Sequence, residues 1–215
     1  HFFGDKTFNA SLGSAQTHFD DGGFSFLQNT VNANFSKEMN SKTNLAFGAE
    51  YRYERYNLFS GEQGSYKNFS PNKFYLDGNG DRVYVAGGSQ GFPGYQPADE
   101  VTANRSVIGA YGDAEFDITK SFLVNIAARF ENYSDFGFTH NYKIATRLKL
   151  TPNFNLRGSF STGFRAPSLQ QINFSSTFTT VQGGNIAEVK IAPNYSELTK
   201  LAGIPELKQE KSTNF

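Results

Sequence analysis

Cationic side chains that share one face of neighbouring predicted strands are the residues in this sequence that could meet an acidic plug or an anionic ligand. Side chains two positions apart in a strand point the same way, so these cations share one face of neighbouring strands. If Leu148 pairs with Leu156 across the turn between them, Arg147 lies directly opposite Arg157. Like charges in that position destabilise a sheet unless an acidic plug or an anionic ligand in a lumen neutralises them, or water screens them. The cations predicted to face such a lumen are Arg129, Lys143, Arg147 and Arg157, with Lys149 on the same face.

A second group of oxygen-bearing residues has the spacing of a calcium loop. Asp77, Asn79 and Asp81 are separated by two positions each, as the first ligands of such a loop are. The helix-loop-helix type also needs Gly at its sixth position and Glu at its twelfth, where this chain has Arg82 and Gly88. The segment KFYLDGNGDRVYV is simpler to interpret as a β-hairpin, and no metal site is predicted.

Catalytic chemistry finds no support in the sequence. There is no Cys, the three His are scattered, and none of the GxSxG, HExxH or P-loop patterns occurs. Equal numbers of basic and acidic residues, 20 of each, give no electrostatic support for a nucleic-acid partner. We therefore predict no catalytic residue and no cofactor.

Aromatic side chains are concentrated in one long polar segment, residues 56–104. They could stack on a ligand, although packing of the segment onto its neighbours is the other use and is expected for most of them. Tyr66 and Tyr95 are our candidates for ligand contact. The aromatic residues of this segment are Tyr56, Phe59, Tyr66, Phe69, Phe74, Tyr75, Tyr84, Phe92 and Tyr95.

The elements that must position these residues are long strands with strict alternation of apolar and polar side chains. The runs reach about 10 residues or more, the length that crosses a bilayer when a strand is tilted, whereas strands of soluble sandwiches average about 5 to 6. Mean hydropathy of -0.50 is compatible with such a barrel, because its polar lumen and loops dilute the average. The four clearest stretches are Asn44–Arg55, Ser106–Thr119, Phe122–Tyr133 and Asn141–Phe164.

Connections between the predicted strands alternate between short and long. Outer-membrane barrels sort their connections in this way, with tight turns on the periplasmic side and longer loops outside. Thr7–Ser14 and Gln28–Ser36 are predicted to be strands as well, and an eighth strand is predicted to begin at Lys211–Phe215. About seven or eight strands leave a barrel unclosed, and the chain starts at His1 without a leader peptide. We therefore expect an internal slice of a larger all-β, antiparallel transmembrane barrel.

The segment STGFRAPSLQQ, Ser161–Gln171, follows a strand at the predicted extracellular end and resembles part of the barrel of TonB-dependent outer-membrane receptors. Further segments resemble that family in the same order, so that the resemblance covers nearly the whole chain. They are YRYERYNLFSGEQGSY, GFPGYQPADEV, RFENYSDFG, INFSSTFTT and ELKQEKSTNF. The motif residues are Gly163, Phe164, Arg165, Ala166, Pro167 and Ser168.

The resemblance implies a 22-stranded barrel in the outer membrane that is occluded by a plug and imports a scarce nutrient with energy delivered by TonB. Residues 1–215 would be part of the barrel domain, without the plug that contacts the TonB complex. Outer-membrane lipid would surround the strands.

The ligand is left open between a ferric siderophore, an oligosaccharide, heme and cobalamin. Arg165 is a candidate ligand contact, although in the motif it could instead anchor the exit of the strand. Heme receptors of the family have a similar FRAP-type box with a nearby His, and this chain has His140 but no NPDL-like tetrapeptide after Ser168. A passive porin and a soluble all-β binding or adhesin domain remain as the alternative functions.

Overall fold

A computed structural model describes residues 4–6 and 8–215 of the chain. Most of the described chain is β-structure, as the alternating sequence pattern predicts. The strands are β1 Gly4–Lys6, β2 His18–Asp20, β3 Gly23–Asn40, β4 Thr43–Phe59, β5 Phe74–Leu76, β6 Arg82–Tyr84, β7 Val101–Thr119, β8 Phe122–Tyr133, β9 Gly137–Thr151, β10 Phe154–Arg165, β11 Ser176–Gln182, β12 Asn185–Ile191 and β13 Glu210–Asn214.

Helices are short and lie in the connections between the long strands. They are α1 Gln63–Tyr66, α2 Leu169–Asn173 and α3 Glu197–Leu201, with a 3-10 turn at Pro97–Asp99. In the described part of the chain, no helix has the length and apolar character needed to span a membrane.

Seven strands form one sheet in the order β13-β10-β9-β8-β7-β4-β3. Strands that are neighbours in this sheet follow one another in the chain, apart from the short strands inserted in the two long connections. The pairings of β7 with β8, β8 with β9, β9 with β10, and β10 with β13 are antiparallel. The predicted antiparallel fold is therefore confirmed, and the strand expected to begin near Lys211 is β13.

Connection lengths follow the predicted alternation except between β8 and β9, where residues 134–136 form a turn of only three residues. The tight turns at Ser41–Lys42, Lys120–Ser121 and Pro152–Asn153 all lie at one end of the strands. Residues 60–100, 134–136 and 166–209 connect the strands at the other end. The two long connections carry their own two-stranded hairpins, β5–β6 and β11–β12, so residues 166–209 are more ordered than the sequence indicates.

The two faces of the large sheet differ in chemistry, as the period of two predicts. The apolar face exposes large side chains along its length, among them Phe47 at 56%, Ile126 at 47% and Leu156 at 56% of their surface. Phe35 and Phe47 stack on this face with ring centres 5.5 Å apart. The polar face carries the charged residues, which are described below. The strand register places apolar side chains opposite apolar side chains; Ala114, for example, pairs with Ile126.

Strict alternation predicts that Ile118 pairs with Phe122 and that Leu150 pairs with Phe154, beside the tight turns. Both predictions are wrong by one residue, since Phe122 pairs with Thr119 and Phe154 pairs with Thr151. Each strand pair contains a register irregularity at that point, which adds one unpaired residue next to the turn. The Thr119 hydroxyl accepts the N–H of Phe122 at 3.0 Å and so closes the first turn with a side chain.

Beyond these irregularities the register is as predicted. Phe116 pairs with Val124, and Leu148 pairs with Leu156. Arg147 is directly opposite Arg157, as the hydrophobic pattern requires.

The predicted strand at Thr7–Ser14 is wrong for its described part, residues 8–14, which form turns. Thr7 itself lies outside the described residues. Asn9 is buried, and its amide nitrogen donates to the carbonyls of Gly64 at 2.8 Å and Lys67 at 3.0 Å. Its side-chain oxygen accepts the backbone N–H of Ser11 at 3.0 Å. Short polar side chains that bond to nearby backbone in this way compete with a strand ladder.

The described chain forms two compact units. The first contains the described residues up to Leu27 together with Arg55–Ala103 and Leu169–Glu206. The second contains Gln28–Glu54, Asn104–Ser168 and Leu207–Phe215. The core of the first unit is formed by Tyr56, Leu58, Tyr95 and Leu169, packed against Phe24, Val101, Ala103 and Phe174.

Candidate functional site

A continuous chain of ion pairs crosses the polar face of the second unit; we call it the charge ladder. Its members are Arg129, Glu131, Glu50, Arg52, Glu54, Arg105 and Asp135. Arg129 Nη2 lies 2.9 Å from Glu131 Oε1 and 3.2 Å from Glu50 Oε2. Arg52 then joins the two glutamates of β4, with its Nε 3.0 Å from Glu54 Oε1. Half-buried charges are stabilised here because each has an opposite charge within reach.

Arg105 is the most buried cation of the ladder, with 3% of its side chain exposed. Its Nε donates to both oxygens of Asp135, at 3.0 and 2.8 Å, and its Nη2 donates to Asp135 Oδ2 at 2.7 Å. Nη1 lies 3.6 Å from Glu54 Oε2. The guanidinium also stacks against Tyr133 and Phe136, with distances of 5.9 and 5.2 Å to the ring centres. A planar group with five donors suits this arrangement, whereas a lysine ammonium would not.

The same guanidinium contacts the GFRAPS motif. Arg105 Nη2 donates to the carbonyl of Pro167 at 2.9 Å, and Pro167 is buried. Phe164 packs against Tyr133 with ring centres 5.3 Å apart. A Cβ on Gly163 would overlap Ser212 Oγ of the neighbouring strand, so a larger residue requires Ser212 to move. The motif is therefore held to the sheet by Phe164 and Pro167; Ala166 lies between these two residues in the chain, and Ser168 directly precedes α2.

Arg165 has the opposite environment to Arg105. Its side chain is 69% exposed, and its ion pair with Glu210 is 3.7 Å long between side chains of equal exposure. Such a surface pair contributes little to stability. Arg165 is consequently available for contact with other molecules.

The predicted lumen-facing cations divide into two environments. Arg129 belongs to the charge ladder and is neutralised there. Lys143, Arg147 and Arg157 instead line a depression of about 610 Å³ on the polar face, with Asp113 and Glu115 on its other side. We call these three cations the basic wall. Within the described residues, none of the three forms an ion pair of 4.0 Å or less.

The two tyrosines predicted to contact a ligand differ in accessibility. Tyr66 ends α1 and is half-buried. Tyr95 is 4% exposed and packs edge to face against Phe92 and Phe174. Burial raises the pKa of the Tyr95 phenol, and the Asp99 carboxylate raises that pKa further. Tyr95 is thus a core residue of the first unit in this conformation.

The residues of the calcium-like spacing and His140 have structural contacts. Residues 74–84 form the predicted hairpin, in which Asp77 Oδ1 accepts the backbone N–H groups of Asn79 at 2.8 Å and Asp81 at 2.9 Å. His140 pairs with Phe130 and lies beside Tyr142, with ring centres 5.4 Å apart. In the described residues, no group of three or more His, Asp or Glu side chains is arranged to hold a metal ion.

Sequence reasoning missed the charge ladder and Arg105 in particular. Alternation alone places Arg105, Glu54 and Glu131 on the polar face, and that signal was available. Their contacts depend on how β4 is aligned with β7 across the connection at 60–100, and no short turn sets that register.

The fold and this polar face define a wall of an outer-membrane type of β-barrel: long antiparallel strands, one apolar exposed face, and one charged face. The chain belongs to the family of TonB-dependent receptor β-barrels, because the family model described as "TonB dependent receptor-like, beta-barrel" matches residues 1–215. Proteins of this family are receptors and transporters, and the chain is not an enzyme.

Two solved structures of receptors are similar to this chain. The siderophore receptor PirA from Acinetobacter baumannii matches with a TM-score of 0.50 and 18% sequence identity, over 88% of this chain and 24% of that chain. A mutant of the ferric enterobactin receptor PfeA from Pseudomonas aeruginosa matches with a TM-score of 0.49 and 10% identity, over 72% of this chain and 20% of that chain. The chain thus spans about a quarter of the length of PirA. Comparison with curated proteins gave no match.

Proposed function

We propose that this chain is part of an outer-membrane TonB-dependent receptor that captures a scarce nutrient with its long connections and passes it through the barrel. The observation that carries the proposal is the family match along residues 1–215 of a sheet with one apolar and one charged face. An apolar exposed face is what lipid contact requires, and a charged face suits a water-filled or plugged lumen. Location in the outer membrane and energy supply through a plug and TonB are parts of this proposal.

A ferric siderophore is the first class of ligand to test, and an oligosaccharide is the second. The siderophore receptor PirA, which has a similar fold, supports that order. Tyr66 and Arg165 are the proposed ligand contacts, since both have accessible surface. Tyr95 would reach a ligand only after a rearrangement of its core, because its side chain is buried.

Deletion of the gene tests the proposal directly. We expect the deletion strain to lose growth on a ferric siderophore as sole iron source, and a strain without TonB to show the same loss. Growth restored by the intact gene and reduced by Tyr66→Ala would support Tyr66 as a contact. If growth fails on an oligosaccharide as carbon source instead, the receptor function stands and the ligand is an oligosaccharide.

Fractionation separates the proposal from its two alternatives. The proposed receptor is recovered in the outer membrane and migrates differently on gels before and after heating, as folded barrels do. A soluble protein with heat-insensitive mobility would indicate a soluble binding or adhesin domain. An outer-membrane barrel whose uptake is the same with and without TonB would be a passive porin.

A further inference from the structure

Asp99 connects two segments of the first unit through its buried carboxylate. We call Arg55–Ala103 the first segment and Leu169–Glu206 the second segment. Asp99 ends the 3-10 turn in the first segment and is 1% exposed. Its Oδ1 accepts the hydroxyl of Ser175 at 2.7 Å and that of Thr177 at 2.9 Å. Its Oδ2 accepts the backbone N–H of Thr177 at 2.9 Å and that of Gln96 at 3.3 Å. Ser175 and Thr177 belong to the second segment, so one side chain bridges residues far apart in the chain.

A carboxylate suits this contact because its two oxygens accept from two hydroxyls and two backbone N–H groups at once. Hydroxyls also accept, so an asparagine could turn its NH₂ group toward them and its oxygen toward the N–H groups, but it would lose the charge that strengthens the four hydrogen bonds. Within the described residues, Asp99 has no ion pair with a cation, so hydrogen bonds alone stabilise its buried charge.

The hairpin β11–β12 is held at a second point, at its tip. Gly184 lies in the turn of this hairpin, and its carbonyl accepts the backbone N–H of Tyr84 in β6 at 3.1 Å. Gly184 has a φ of +81°, and a Cβ there would lie 2.9 Å from the carbonyl oxygen of Arg82. The hairpin of the second segment is therefore fixed to the first segment at its base by Asp99 and at its tip by Gly184.

We propose that Asp99 is a positioning residue that joins residues 60–100 and the β11–β12 hairpin into a single surface, so that the hairpin does not open on its own. The grouping of Arg55–Ala103 with Leu169–Glu206 in one compact unit supports this. Residues 60–100 and the hairpin would thus move together, and the inference rests on the proposed function only in that this joined surface captures the ligand.

Hydrogen exchange of the intact protein in detergent, without any ligand, tests the proposal. In Asp99→Asn, the peptide that covers 176–191 should exchange at least about tenfold faster, because the hairpin loses its charge-assisted anchor. Asp77→Asn is the matched control. Asp77 uses one oxygen for the N–H groups of Asn79 and Asp81 in an exposed turn, which an asparagine also provides. The control should exchange like the wild type.

Asp99→Ala removes all four contacts and should accelerate exchange of 176–191 at least as much as Asp99→Asn. Unchanged exchange of 176–191 in both variants, with folding verified by heat-modifiable mobility, would overturn the proposal. If neither variant folds, Thr177→Val is measured instead. It removes the hydroxyl donor and keeps the backbone N–H, so faster exchange of the same peptide supports the anchor and unchanged exchange refutes it. These measurements need no uptake, so their failure is distinct from failure of the receptor function.

Discussion

At the residue scale, Arg105 is the side chain that joins the GFRAPS motif to the charge ladder. Its guanidinium joins Asp135, Glu54 and the Pro167 carbonyl and is almost fully buried. Removal of one member of a buried ion pair leaves an uncompensated charge, and the cost is usually larger than the net value of the pair. The position of the motif thus depends on a residue about sixty positions earlier in the chain.

We expect Arg105→Ala to lower the free energy of unfolding by about 3 kcal/mol, at the lower end of the range for a broken buried pair, because Asp135 is 32% exposed and water can partly solvate it. Arg105→Lys should recover only part of the loss, since the three donors of a lysine sit on one nitrogen and cannot reproduce the planar fork that contacts Asp135, Glu54 and the Pro167 carbonyl together. Denaturant titration of the protein in detergent measures both values.

Arg165→Ala is the matched control for this prediction. Its pair with Glu210 is exposed on both sides, so removal should cost no more than about 1 kcal/mol. Equal unfolding midpoints for the Arg105→Ala and Arg165→Ala variants would contradict the central role of Arg105.

At the element scale, each long strand has an apolar face, which the proposed function directs to lipid, and a polar face, which it directs to the interior. Ile126 and Asn125 are neighbours on β8 and lie on opposite faces: Ile126 is 47% exposed on the apolar face, and Asn125 donates to Asp113 Oδ1 at 2.8 Å on the polar face. A guanidinium on the lipid side must be moved into hydrocarbon, whereas one on the polar side meets Asp113 and water.

Ile126→Arg should therefore cost about 2 to 4 kcal/mol of barrel stability, the range for a cation near the middle of a bilayer. Asn125→Arg should cost much less, and a folding titration in lipid vesicles compares the two variants. If both substitutions have the same effect, the assignment of the faces is wrong.

At the scale of the whole molecule, charge on the polar face is divided into two zones. The charge ladder has four carboxylates for three arginines, all in contact. In the basic wall Arg147 lies opposite Arg157, and in the described residues neither has a carboxylate within 4.0 Å, although Asp113 and Glu115 line the same depression. Since like charges across a sheet repel, we propose that this wall meets acidic groups of a plug or an anionic solute in the intact receptor.

Reversal of one charge distinguishes an acidic partner from water. With an acidic partner, Arg147→Glu should lower the stability of the intact receptor by about 1 kcal/mol, because an attraction becomes a repulsion. With water alone, the same change should raise stability by a few tenths of a kcal/mol, since it gives Arg157 an opposite charge. Denaturant titration at low salt measures the sign, and a rise would refute the acidic partner.

Lys190→Glu is the matched control for net charge. Lys190 is exposed on β12, which contributes no residue to the basic wall, so its reversal changes the charge of the protein equally without changing that wall. We expect little effect on stability from this control at any salt concentration.

The amino-acid sequence determined by itself the features that depend on neighbours along the chain. Alternation determined the faces of Phe47, Ile126 and Arg147, because side chains in a strand point to opposite sides with a period of two. Tight turns set the pairing of each strand with the next, so Arg147 opposite Arg157 was predictable. The ordered segments around GFRAPS indicated the family.

Only the tertiary structure decided which distant side chains meet. Arg105 with Pro167, and Asp99 with Thr177, join positions separated by several strands of the sheet. No local pattern encodes such contacts, because Pro167 and Thr177 lie in the connection at 166–209, whose path no tight turn sets until its side chains pack. The same reason explains the failed prediction at Thr7–Ser14, where the buried side chain of Asn9 finds its partners near residues 64–67.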